Sequence, residues 1–337
     1  MGILSRLFHR DQVKIAPQES ARINEALERI LAMHPRLRMA RRYRERLAPA
    51  VAASLQYADD LIGSLPAPHE ASADAWSSDP YLRAFFATPE DLVQAFSRSQ
   101  ELREHFERNA DSQEAYAVLG MTMTERHVLG VALEGDTMRY DVAQTTVCFG
   151  DYRVRICGRT ESDLSQEIER RLVDQLALEG LARLAEDRRE LLAQGRKLLE
   201  TRLALLQRKG AGVRSMVGGG AVVESEELNR VHAQIEENNR NLAALRAPTK
   251  AIDLELERVC EVLSEPAMHL YLTKKRLCID LMNVVHEDSA QAGHEIEFHL
   301  VRIPADPPQV RAFALVRFSR LELLPGGLDV DEAIRYL

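Results

Sequence analysis

Arginines are the residues best placed to do chemistry in this sequence. Arg38, Arg42 and Arg46 recur at every fourth position, a spacing that stacks side chains on one face of a helix. Guanidinium groups in such a stripe could clamp the phosphates of a lipid headgroup or of nucleic acid. Tyr43 is the aromatic interleaved with them, so stacking of single-stranded bases finds little support. Residues 1–50 hold eleven Lys or Arg against five acids, while the whole chain carries a formal charge of −8. A basic head on an acidic body points to an anionic partner, or to docking of the head on the body.

Other constellations fall short of chemistry. His294-Glu295 followed by His299 is one residue too long for the zinc-binding HExxH motif. The alternation of Glu295-Ile296-Glu297-Phe298-His299-Leu300 reads as a strand, which puts His294 and His299 on opposite faces. Glu295, Glu297 and His299 share a face that reads as solvated. The glycine-rich stretch 210–220 lacks the lysine and hydroxyl of a phosphate loop, and no GxSxG elbow is present. Cys148, Cys157, Cys260 and Cys278 form no CxxC pair, so buried, reduced thiols in a cytoplasmic protein are expected. No catalytic residue, cofactor or metal ligand is expected, and the chain reads as non-enzymatic. An enzyme whose site assembles from scattered residues is a further alternative.

Two segments offer surfaces rather than chemistry. In MGILSRLFHR, Ile3, Leu4, Leu7 and Phe8 share a helical face with Arg6 and Arg10 off it. Residues 1–16 therefore read as an amphipathic basic leader that could touch a membrane interface, although Arg6 breaks the myristoylation pattern. The second surface is a long glycine-rich connection where Arg208, Lys209 and Arg214 surround an apolar stretch with Val213, Met216 and Val217, so that Arg208, Lys209, Arg214 and Met216 are the expected partner-binding residues. A tight turn needs only a few residues, so a connection this long has capacity for contacts.

The elements that position these residues follow from periodicity. Helices are expected over about 19–33 and 37–65, divided at His34-Pro35. A loop follows over 65–78, then two or three short helices capped at Asp79 and Thr88 fill 80–110. Residues 115–157 turn to Val, Thr, Met and Tyr, and predict a meander of about four strands with turns at 134–136 and 150–151. Residues 161–209 contain no proline and predict one helix of about 75 Å. The segment 209–221 breaks it, and a second helix begins near Glu224. Its 3-4 steps from Leu228 through Val231, Ile235, Asn238 and Leu242 to Leu256, Val259 and Leu263 form a coiled-coil seam. Pro248 predicts a kink. Strands return near 268–273, 276–285, 294–304 and 310–321, with a turn at 305–308 and a short helix near 330–336.

The fold class is therefore α+β. A helical domain over 17–110 precedes a discontinuous antiparallel β-rich domain, 112–159 and 266–337. Inserted into it is an antiparallel coiled-coil hairpin arm, 160–265, with its tip at 209–223. Leu178, Leu192, Leu199 and Leu206 exceed what one partner helix must cover, so self-association to an oligomer is expected. The chain reads as a cytoplasmic adaptor or scaffold that offers its arm, tip foremost, to a protein partner. The alternative is a peripheral factor that binds nucleic acid or an anionic membrane surface through the basic N-terminal helices.

Overall fold

The computed structural model describes residues 17–134, 137–212, 221–246, 248–286, 293–303 and 309–325. The leader with Ile3, Leu4, Leu7 and Phe8, the turn at 305–308 and the helix near 330–336 lie outside them. The architecture is mixed helix and antiparallel sheet, with a long helix inserted between strands. The helices are α1 (Pro17–Met33), α2 (Tyr43–Gly63), α3 (Ala73–Trp76), α4 (Pro80–Phe85), α5 (Pro89–Ser97), α6 (Gln100–Arg108), α7 (Glu161–Gly212), α8 (Ala221–Arg246) and α9 (Pro248–Ser264). The strands are β1 (His69–Glu70), β2 (Glu114–Glu134), β3 (Thr137–Gly158), β4 (Tyr271–Ile279), β5 (Val285–His286), β6 (His294–Ile303) and β7 (Gln309–Ser319).

The chain divides into two compact units. One contains the described residues up to Leu55 together with Leu176–Glu265, and the other contains Gln56–Gln175 with the described residues from Pro266 onward. The helical domain expected over 17–110 is therefore split, because residues on either side of Leu55 bury their apolar faces against different partners. Ile23, Leu27, Ile30 and Leu31 of α1 are buried, as are Leu37, Leu47 and Val51. In the same unit, the buried stripe of α9 comprises Ile252, Leu256, Val259 and Leu263. Ser54 donates to the Leu263 carbonyl at 2.6 Å, and His34 Nε2 lies 2.9 Å from Glu255 Oε2.

In the second unit the strand order is β3-β2-β7-β6-β4-β5, with β1 added in parallel to β7. One sheet face presents small residues, Ala115, Ala117, Ala312 and Ala314, and receives Leu82, Phe85, Phe86, Phe96 and Phe106 from α4, α5 and α6. Large side chains thus fill the space that alanines leave, as close packing requires. Phe96 and Phe318 stack at 4.9 Å. On the other face, Leu164 and Ile168 of α7 pack with Leu315, beside Ile62 and Leu65.

Three expectations for this unit need correction. The loop over 65–78 contains β1 and α3, whose N-cap Ser72 accepts from the Ala75 N–H. The four-stranded meander is one long hairpin, with β2 and β3 paired from Tyr116–Gly158 out to Glu134–Thr137. The turn signal at Gly150-Asp151 is absorbed as a register shift, with Asp151 at φ 49°, so the strand bends and continues. The strand expected over 276–285 is also divided: β4 ends at Ile279 and a turn led by Asp280 precedes the two-residue β5.

The arm folds back antiparallel. Contacts run from Gly180 with Val259, through Asp187 with Arg258, to Leu191 and Gln194 with Asn238. The break at 209 falls later, because α7 remains helical to Gly212, and α8 starts at Ala221 rather than near Glu224. Residues 209–212 carry on the i→i+4 ladder, so the described part of the expected tip is helical rather than loop.

Candidate functional site

The arginine stripe does not exist as expected. Pro35–Met39 is a 3-10 helix, Ala40 is extended at φ −70°, ψ 146°, and Arg42 takes the left-handed φ of 54°. These two residues reverse the chain before α2 begins, and stacking at four-residue intervals requires a continuous helix. Each arginine instead meets a nearby carboxylate. Arg38 reaches Glu28 at 2.8 Å, Arg42 pairs with Glu45, and Arg46 approaches Asp253 at 3.6 Å. Arg44 also pairs with Glu28, and the Arg41 N–H donates to Asp253. Arg41, Arg42, Arg46 and Lys250 share an open cleft of about 1040 Å³ with Glu45, Asp253 and Glu257. A cleft of mixed sign has little preference for phosphate over water.

The strand β6 places its ionisable residues as the period of two requires, but one is not solvated. Glu297 lies between Lys274 and Arg276, whose hydrogen bonds hold its carboxyl down to about 2. His299, on the same face, is buried at 8% exposure, and its Nε2 has no hydrogen-bond partner. The reason is its neighbour across β7, Phe313, whose ring centroid lies 6.1 Å away. Among the described residues no group of three or more His, Cys, Asp or Glu is placed to hold a metal ion. Burial pushes the Cys157 thiol up to about 12 and the Cys260 thiol to about 11, far from the low values of nucleophilic thiols. All four cysteines are free and partly buried.

Of the tip residues, Arg208 and Lys209 fall in the closing turns of α7, whereas Arg214 and Met216 lie outside the described residues. The structure does bring together a different surface on the arm. Leu178, Ala182, Ala185, Arg189, Leu192, Arg196, Leu199, Leu203 and Leu206 follow one another in strict 4-3 steps along α7, and all are exposed. The leucines are 42–59% exposed, unusual for a run of this residue type. The inner side of the same helix is occupied by α8 and α9, so α7 carries two apolar seams and uses one within the arm. Leu178, Leu192, Leu199 and Leu206 were legible as surplus leucines. Leu203 and the two arginines were missed, although the same 3-4 count includes them.

No helix among the described residues is long and apolar enough to cross a membrane. No family model, no curated protein and no solved structure matches the chain.

Proposed function

We propose that this protein is a non-enzymatic cytoplasmic scaffold that presents its helical arm to a protein partner. The observation that carries the reading is the second seam of α7, which spans about four heptads and is covered by nothing among the described residues. Leucines at coiled-coil spacing gain little from water and much from a second helix, at roughly 25 cal/mol per Å² of apolar surface removed from solvent. Four free thiols are in keeping with a reducing compartment. The nucleic-acid or membrane alternative loses its main support once Arg38, Arg42 and Arg46 are separated and paired.

Capture from an extract of the native cell, with the full chain as bait, tests this reading. A Leu192→Asp/Leu199→Asp/Leu206→Asp bait runs beside it, with unchanged circular dichroism as the control for folding. A protein retained by the first bait and lost by the second is the expected result. Retention indifferent to the leucines, or of lipid or nucleic acid alone, would overturn the scaffold reading. Sedimentation of the purified chain reports whether a second copy, the other expected occupant, takes the seam instead.

A further inference from the structure

We infer that the cleft between the sheet, the first turns of α7 and the end of α2 binds a long-chain fatty acid, with its carboxylate on Arg153 and Arg311. The cleft has a volume of about 450 Å³, and all of its lining residues belong to the sheet unit. Leu61 and Leu65 of α2 and Ile168 of α7 wall it, over Leu272, Val301 and Ile303 of the sheet. Its depth comes from Gly120, which the register sets between Arg153 of β3 and Phe313 of β7. Apart from its chain neighbours, a Cβ there would meet only the Arg153 carbonyl oxygen among the described residues, at 3.6 Å.

Size argues against a macromolecular occupant. One turn of α-helix with its side chains is about 10–12 Å across and 5.4 Å long, or roughly 420–610 Å³. The whole cleft therefore holds about one turn, too little to dock a helix. An added strand needs a sheet edge, whereas this cleft lies on a sheet face. A slender aliphatic chain fits, and the volume is that of a small-molecule site, about 300–1,000 Å³.

Charge selects the headgroup. Arg153, Arg155, Arg171 and Arg311 line the cleft, and no carboxylate does among the described residues. Arg155 pairs with Glu101, and Arg171 with Glu167 at 2.9 Å. Arg153 and Arg311 share one carboxylate, that of Asp151, at 3.2 and 2.8 Å. The hydrogen bond from Arg311, with that from Arg153, holds Asp151 below its ordinary value, so it is charged at neutral pH. Two guanidinium groups on one carboxylate leave a single positive charge. Arg311 reaches Asp151 through Nη2 alone, and a guanidinium has five N–H donors, so an incoming anion can be held without breaking that pair. A carboxylate matches one positive charge, whereas a phosphate monoester brings close to two negative ones. The arginines gather beside β3 and the aliphatic residues toward β4 and β6, which places the head at β3 and runs the tail across the sheet.

Calorimetric titration of the purified full chain with caprate, laurate, dodecanol and dodecyl phosphate tests the site. One laurate per chain is expected, bound about tenfold or more above dodecanol and above dodecyl phosphate. The two further methylenes of laurate should tighten binding about fifteenfold over caprate. Gly120→Leu fills the cleft and should abolish binding, with Trp76 fluorescence as the check on folding. Arg311→Met should make laurate and dodecanol bind alike. The ligand series in the unaltered chain decides the matter even where a variant fails to fold. Absence of laurate binding, equal affinity for laurate and dodecanol, or binding undiminished in G120L would each overturn the fatty-acid site. Tighter binding of dodecyl phosphate would overturn the carboxylate. A dimer that laurate leaves intact and G120L dissociates would give the cleft to a second copy and overturn the site as well.

Discussion

At the scale of the residue, burial rather than motif sets what the side chains can do. Burial, assisted by Arg108 and Arg159, pulls the His105 imidazole below its ordinary value, and burial with Lys274 does the same to His299. The unfolded chain takes up these protons near pH 6.5, but the folded chain resists them. Their contribution to stability is therefore level above about pH 6.5 and is lost as pH falls beneath it. Urea midpoints should drop between pH 7.5 and 5.5, and His299→Leu should shrink the drop; an undiminished drop would show that His299 titrates normally. Gly180 is a second residue governed by its surroundings. A Cβ there would stand 2.6 Å from Val259 Cα, a backbone atom that cannot swing aside. Gly180→Ala gains roughly 1 kcal/mol of helix propensity but forces α9 away from α7. A net loss of about 1–3 kcal/mol is expected from overpacking, and a raised melting temperature would contradict it.

At the scale of the element, the arm trades stability for register. Asn238 is 4% exposed in the inner seam; its amide donates to the Leu191 carbonyl at 3.1 Å, and its Oδ1 has no partner. A buried amide satisfied on one side only costs free energy and holds the two helices in one alignment. Asn238→Leu should raise arm stability by about 1–2 kcal/mol, read as a higher denaturation midpoint at 222 nm. Leu256 is fully buried, and its truncation to Ala should cost about 2–5 kcal/mol. The β2–β3 hairpin is divided between two environments in a similar way. β2 pairs with β7 only as far as Met121; past that point β3 still meets the turn before β5, where the Val147 N–H donates to the Asn283 carbonyl at 2.9 Å, and farther out Leu129 and Tyr140 are each 71% exposed.

At the scale of the whole molecule, the two compact units can be followed separately. Trp76 is the single tryptophan of the chain and belongs to the sheet unit, where its indole N–H donates to the Phe86 carbonyl at 3.0 Å. Leu256→Asp places a charge in the core of the other unit. Circular dichroism at 222 nm should then show early loss of helix while the fluorescence transition of Trp76 stays where it was. A common shift of both signals would mean that the units unfold as one. Periodicity by itself determined the α+β class, the long helix inserted between strands, the fold-back of the arm and the capped helices after Asp79 and Thr88. Each of these rests on patterns repeated over many residues, or on caps that act within one turn. Only the tertiary structure decided that residues before and after Leu55 join different cores, because both stretches show the same helical stripe and nothing local tells their partners apart. It also decided that Arg38, Arg42 and Arg46 separate, since one left-handed residue at Arg42 cancels a four-residue repeat. The surplus leucines were visible in the sequence, but whether a second seam is buried or exposed depends on how many helices pack around α7, which no local spacing encodes.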